Sequence, residues 1–325
     1  MDIPIPETWS EVQDRLLPVL RRCTEPASAW ALGHSDPSQA IVRRPFAPFL
    51  NELVVLDLPD LRLYINRGHL AQWGVQPEDV YRAAHTNLLP AATTGLHLRC
   101  DYGAEGRQEP VCLLHLDAED GYESSRLLLR GWLHAFSSSM KGHPLATVPA
   151  RGILLVGDSA EDAQVEALLE IAWQAFRSAG GPLSPVLYST DGGGRVIPWE
   201  PTVDTTPSTQ TRAGERLLAA YEYSEQREQL LANDPQAAVP PVTLVRTRAT
   251  GQSHTVCRWS EADGEALLPH TDRVILASEN GETEVSWGAI AEHAAGCLEE
   301  TDHIPTRFRA RWPMPKTYRQ LTDSS

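Results

Sequence analysis

A chain of 325 residues is longer than a single hydrophobic core usually serves, so two domains are expected. With 42% hydrophobic and 22% charged residues, the composition is that of a folded protein rather than a disordered one. A net charge of −15 argues against a general nucleic-acid binder, which needs clustered Lys and Arg, and against a surface built to lie on anionic membranes.

The opening MDIPIPETWSEVQ has no basic stretch followed by an apolar core, so no signal peptide is expected. No apolar run approaches the roughly 18 residues of a membrane span, which leaves the cytoplasm as the expected location. Thr8 and Glu11 have capping-box spacing, and Trp9, Val12, Leu16, Val19, Leu20 and Cys23 recur at helical steps, predicting a helix over residues 9–22. Residues 51–58 and 61–66 read as two strands around Pro59-Asp60, the second with apolar and polar positions alternating. Pro77 suits a first helical turn and opens a helix to about residue 89.

Residues 95–100 and 111–116 form a second expected strand pair around a polar loop. A helix over residues 122–136 follows, then short strands over 145–148 and 153–156, then a helix over 160–179 with an apolar stripe. The segment PTVDTTPSTQT, with five Thr and two Pro, is the best linker candidate. It divides a first domain of residues 1–199 from a second of 213–325, with the linker at 200–212. The second domain is expected to hold a helix over 214–232, strands over 242–248 and 253–259 around Thr250-Gly251, and a hairpin of 274–278 with 282–286 through Asn280-Gly281. A helix over 287–298 and a basic strand over 306–312 close it. Strand pairs interleaved with helices, without regular alternation, predict an α+β fold in both domains, antiparallel hairpins packed on amphipathic helices.

The stretches RPFAPFLNELVVLDLP (residues 44–59), WGVQPEDVYRAAHTNL (73–88), DGYESSRLL (120–128), VPARGILLVGDS (148–159) and PLSPVLY (182–188) occur in that order. Together they resemble the YtpQ-like family of uncharacterised bacterial proteins, over about residues 44–188. The resemblance implies a bacterial cytosolic α+β domain with no established activity, so it carries over no catalytic residue.

The five cysteines are scattered, with no CxxC spacing, which fits reduced, buried thiols in a reducing compartment and no zinc site. The eleven histidines form no HExxH or HxH pattern, so no metal is expected, and nothing in the sequence implies a cofactor. Gly192, Gly193 and Gly194 read as a turn, since no Lys-Ser/Thr follows to complete a phosphate cradle. In ILLVGDSAED the strand–GDS–helix order resembles the nucleophile block of GDS-type esterases. The second block lacks its Gly before Asn233, and Asp302 and His303 are adjacent rather than spaced, so Ser159 is expected to be the N-cap of the following helix.

Two charged features remain. Glu123, Arg126, Arg130 and His134 fall at helical steps and would share a polar face, either a pocket anchored by Arg126 or a solvated face of Glu–Arg pairs worth about 0.2–0.5 kcal/mol each. Arg307, Arg309 and Arg311 alternate along a strand, either as a patch for an acidic partner or second subunit, or as a charge-blunted edge strand. The functional expectation is a non-enzymatic binding or assembly module with a protein partner or homo-oligomeric state. The alternative is a hydrolase using Glu123, Arg126 and Asp158.

Overall fold

The computed structural model describes residues 6–25, 36–59, 61–102, 111–201, 206–247 and 252–323. The fold is α+β, and the chain divides into two compact units, Met1–Gly214 and Glu215–Ser325.

The first unit opens with a short helix α1 (Trp9–Val12), capped by Thr8 and Glu11 as expected: the Thr8 N–H donates to Glu11 Oε2 at 3.0 Å. The helix does not continue. A 3-10 turn leads into strand β1 (Leu16–Arg22), which pairs antiparallel with β3 (Leu50–Leu58). Pro18 explains the correction, because inside a helix it has no N–H to donate and its ring clashes with the preceding turn. A strand with one partner tolerates it. β3 also pairs with β2 (Arg43–Ala47) and β4 (Leu61–Tyr64), completing a four-stranded sheet.

After the short helix α2 (Arg67–Trp73), helix α3 (Pro77–Leu88) packs on this sheet. Pro77 stands in its first turn, and the Gln76 N–H donates to Asp79 Oδ2 at 3.2 Å. Val80, Tyr81 and Ala84 of α3 share a core with Leu16, Val54 and Leu56 of the sheet. Burying side chains of this size contributes about 1.5–3 kcal/mol each.

Strands β5 (Leu96–Tyr102), β6 (Val111–Leu116), β7 (Pro144–Ala150), β8 (Leu154–Asp158), β9 (Pro182–Thr190) and β10 (Val196–Pro198) form a six-stranded antiparallel sheet. Its order is β10-β9-β7-β8-β6-β5, so β5 is a terminal strand. Helix α4 (Asp162–Ser178) lays Val165, Leu168 and Leu169 on this sheet, against Leu113, Leu155 and Leu187.

The expected helix over residues 122–136 is absent: residues Glu123–Leu128 and His134–Ser139 are separate 3-10 segments. Gly131 between them has φ +79°, a left-handed conformation that an α-helix cannot contain, and Leu129 is already extended. Ser159 is not a helix cap either, because Glu161 holds that position. The Ser159 hydroxyl instead accepts from the His143 N–H at 2.7 Å.

The Thr/Pro stretch is not an open linker throughout. Helix α5 (Thr206–Asn233) begins within it and contains the boundary between the units; residues 202–205 lie outside the described set.

The second unit has one sheet of order β11-β12-β14-β15, from β11 (Thr243–Arg246), β12 (Ser253–Ser260), β14 (Arg273–Ser278) and β15 (Gly281–Ser286). The β12–β14 pair is parallel and the others antiparallel. The expected 274–286 hairpin is present, with Gly281 at φ +125°. The expected turn at Thr250-Gly251 lies outside the described residues.

A second sheet places β17 (Arg307–Arg311) between β13 (Glu265–Pro269) and β16 (Leu298–Glu300). The basic strand is therefore central, not an edge. Helix α6 (Trp287–His293) is shorter than expected, and helix α7 (Pro315–Asp323) follows β17. Trp259, Leu276, Val285, Ile290 and Leu321 build this unit's core. No described helix is long and apolar enough to cross a membrane.

Candidate functional site

Arg126 is fully buried. Its guanidinium forks onto the Asp120 carboxylate, with Nη1 3.0 Å from Oδ1 and Nη2 bonded to Oδ2, and it also donates to the Ala91 carbonyl at 3.2 Å. Asp120 also accepts from the Tyr122 N–H at 2.8 Å. Burial pushes the Asp120 carboxyl up, but Arg126 and the backbone donor outweigh it and hold it below the usual range. Arg126 thus holds this segment against the 3-10 turn (Leu89–Ala91) that follows α3. Glu123 is also buried, and its Oε2 finds no hydrogen-bond partner among the described residues. Arg130 and His134 are exposed, so the expected shared polar face does not form.

Asp158 stands apart from both. Its carboxylate accepts from the backbone N–H of Lys141 at 2.7 Å, Gly142 at 2.8 Å and Ala160 at 2.9 Å. Desolvation raises the carboxyl's pKa, yet these donors pull it below the ordinary value. Among the described residues, no hydrogen bond or ion pair joins Glu123, Arg126 and Asp158 to one another.

In the second unit, Arg307 is fully buried and donates to Gln226 Oε1 at 2.6 Å and to the carbonyls of Leu267 at 2.9 Å and Tyr223 at 3.0 Å. Burial lowers its pKa to about 10. Arg309 and Arg311 are exposed and both reach Glu265, at 3.2 and 3.3 Å. The Arg row therefore divides into one structural cation and two surface ion pairs. A further carboxylate, Asp272, accepts from Arg216 Nε and Nη2, each at 2.9 Å, and from the Thr255 N–H at 2.7 Å.

The sequence reading missed the most chemically organised cluster. Arg44 and Glu52 are cross-strand partners on β2 and β3, and His85 lies in the last turn of α3 above them. The buried Glu52 carboxylate meets His85 Nε2 at 2.6 Å through Oε1 and Arg44 at 2.8 Å through Oε2. The Arg44 guanidinium lies 4.1 Å over the Tyr81 ring. Burial, then Glu52, raises the Tyr81 phenol pKa, so it stays protonated. A carboxylate can only accept, so in this contact Nε2 carries a hydrogen and donates it to Glu52 Oε1. This pair can hold or relay a proton. The signal was Glu52 in LNELVVLDL, an ionisable residue beside the apolar run LVVL in a strand buried over its first seven residues.

No family model, curated protein or solved structure matches this chain.

Two further surface features belong to the first unit. A cleft of about 640 Å³ is lined by Arg15, Asp57, Leu58, Pro59, Leu61 and Arg62. Strand β5 ends its sheet with residues 97–100 exposed, Leu98 by 65%. The cysteine expectation is corrected at the same strand: Cys100 of β5 and Cys112 of β6 form a disulfide.

Proposed function

We propose that this chain is a non-enzymatic binding module that takes an extended segment of another protein along the outer edge of β5. The observation that carries the reading is the terminal position of β5 in its sheet, with Leu98 65% exposed. An edge strand offers unpaired backbone donors and acceptors, and proteins that do not use such an edge normally blunt or cover it.

Alternation along β5 gives the chemistry of the partner. Leu96 and Leu98 lie on one face; His97 and Arg99 lie on the other, with His115 of β6 opposite His97. A segment with alternating apolar and acidic side chains would meet leucines on one side and basic groups on the other. The structural duties of Arg126, Asp158 and Arg307 support the non-enzymatic part, because each spends its polar atoms on its own chain. The net charge of −15 supports a protein rather than a nucleic-acid partner. A bacterial, cytoplasmic setting belongs to the same reading and rests on the YtpQ-like resemblance.

The test is fluorescence anisotropy with labelled eight-residue peptides of alternating Val/Glu or Val/Lys, against the full chain and its Leu98→Lys variant. Preferential binding of the Val/Glu peptide, lost in Leu98→Lys, is the expected result. Equal affinity for the two peptides, or an unaffected variant, overturns the reading.

A further inference from the structure

The five cysteines fall into two classes. Cys23 and Cys257 are buried, and burial raises the pKa of the Cys257 thiol to about 11, against the pull of the Thr271 hydroxyl and Arg307. Burial also raises the Cys297 thiol. Thiols of this kind carry little thiolate at neutral pH and react slowly. Cys100 and Cys112 differ on every count. They are bonded to each other, Cys100 is exposed, and Arg99 lies next to it in the chain.

The position of the bond within the sheet is specific. β5 pairs with β6 in regular register from Leu96↔Leu116 to Arg99↔Leu113, then slips before Tyr102↔Val111. The disulfide lies in that slipped interval, where the hydrogen-bonded ladder is irregular. Among the described residues β5 has β6 as its sole sheet partner, and its residues 97–100 are exposed, so little buried apolar surface holds it in place. The covalent bond fastens the strand in the interval where the ladder is irregular.

We propose that Cys100 and Cys112 form a reversible thiol–disulfide site, reduced by a dithiol, that sets how firmly β5 is held to the sheet. A thiolate of the dithiol attacks the exposed Cys100 Sγ. The Sγ–Sγ bond breaks, a mixed disulfide forms at Cys100, and Cys112 leaves as a thiolate that takes a proton. The dithiol's second thiolate then attacks its own sulfur in the mixed disulfide, releasing Cys100 as a thiolate that is protonated in turn. Two electrons and two protons reach the protein, and the dithiol becomes a cyclic disulfide. In the reduced chain β5 opens locally and uncovers the edge of β6. In a reducing compartment a bond of this kind is a sensor rather than a staple.

The test uses the full chain alone, so its outcome is independent of the peptide-binding reading. Native protein is titrated with dithiothreitol, freed thiols are alkylated and assigned by mass spectrometry, and amide hydrogen exchange is followed before and after. Cys100 and Cys112 are expected to become labelled together while Cys23 and Cys257 do not, with exchange of β5 rising about tenfold and that of β7 and β9 unchanged. The double variant Cys100→Ser, Cys112→Ser should show the same fast β5 exchange without reductant. A disulfide that yields only on global unfolding, or β5 exchange that changes by less than about twofold on reduction and in the double variant, overturns the proposal.

Discussion

Glu52 Oε1 lies 2.6 Å from Nε2 of His85, so a buried strand carboxylate fixes which ring nitrogen of a half-buried helical histidine carries the proton. In wild-type protein, nitrogen-detected NMR should find a hydrogen held on Nε2 of His85. Glu52→Gln replaces the acceptor with an amide that can also donate, and the tautomer population should become mixed. Stability should fall by about 1–3 kcal/mol, since Arg44 also loses its charged acceptor. A single Nε2–H tautomer in Glu52→Gln would show that the carboxylate does not set it.

Arg126 and Arg130 are four residues apart and should behave oppositely. Arg126 is fully buried with its fork on Asp120 and the Ala91 carbonyl, so Arg126→Ala should lose about 3 kcal/mol in urea unfolding. Arg126→Lys should lose part of that, because an ammonium cannot reproduce the planar fork. Arg130 is exposed, and Arg130→Ala should stay within about 0.5 kcal/mol of wild type. Equal losses at the two positions would contradict the buried clamp.

This contrast also shows where the sequence was legible. Helices with one apolar stripe, α3 and α4, follow from their pattern, as does the hairpin with Asn280-Gly281 between its strands. Periodicity misleads where residues are buried on all sides. In residues 123–128 every side chain is buried, so helical spacing of Glu123 and Arg126 carries no information about a solvent face. Apolar residues at helical steps in 16–20 equally suit a strand buried on both faces, and Pro18 is the residue that decides. The disulfide and the Glu52–His85 pair depend on strand register and on contacts between distant elements, which spacing along the chain does not encode.

Acid should weaken the first unit partly through Asp158. Its folded carboxyl sits below the ordinary value of 3.8, so the unfolded state binds protons more readily. The stabilisation is therefore complete above about pH 5 and is lost as pH falls through the ordinary value towards the folded one. Asp158→Asn removes this titration and one of the two side-chain oxygens that accept from the backbone N–H groups. Its thermal midpoint should lie below wild type at neutral pH and converge on it as pH falls below the ordinary carboxylate value. Parallel midpoint-against-pH curves for the two proteins would remove Asp158 from the acid response.

Gly142 is the reason the Asp158 arrangement closes. Its N–H donates to Oδ1 at 2.8 Å, and a β-carbon there would stand 2.5 Å from Ser159 Oγ and 2.7 Å from both Ala160 N and Asp158 Oδ1. Real β-carbons do not approach that closely, and the backbone atom cannot swing aside as a long side chain would. Gly142→Ala must therefore push the 141–143 segment away from β8, stretching the bonds from Lys141, Gly142 and His143 together. A loss of about 2–3 kcal/mol is expected in urea unfolding. Gly180→Ala is the control, because a β-carbon there meets nothing within 4 Å, and it should stay within about 0.5 kcal/mol of wild type. If Gly142→Ala is as silent as the control, the close approach of the two segments is not what holds the Asp158 carboxylate in place.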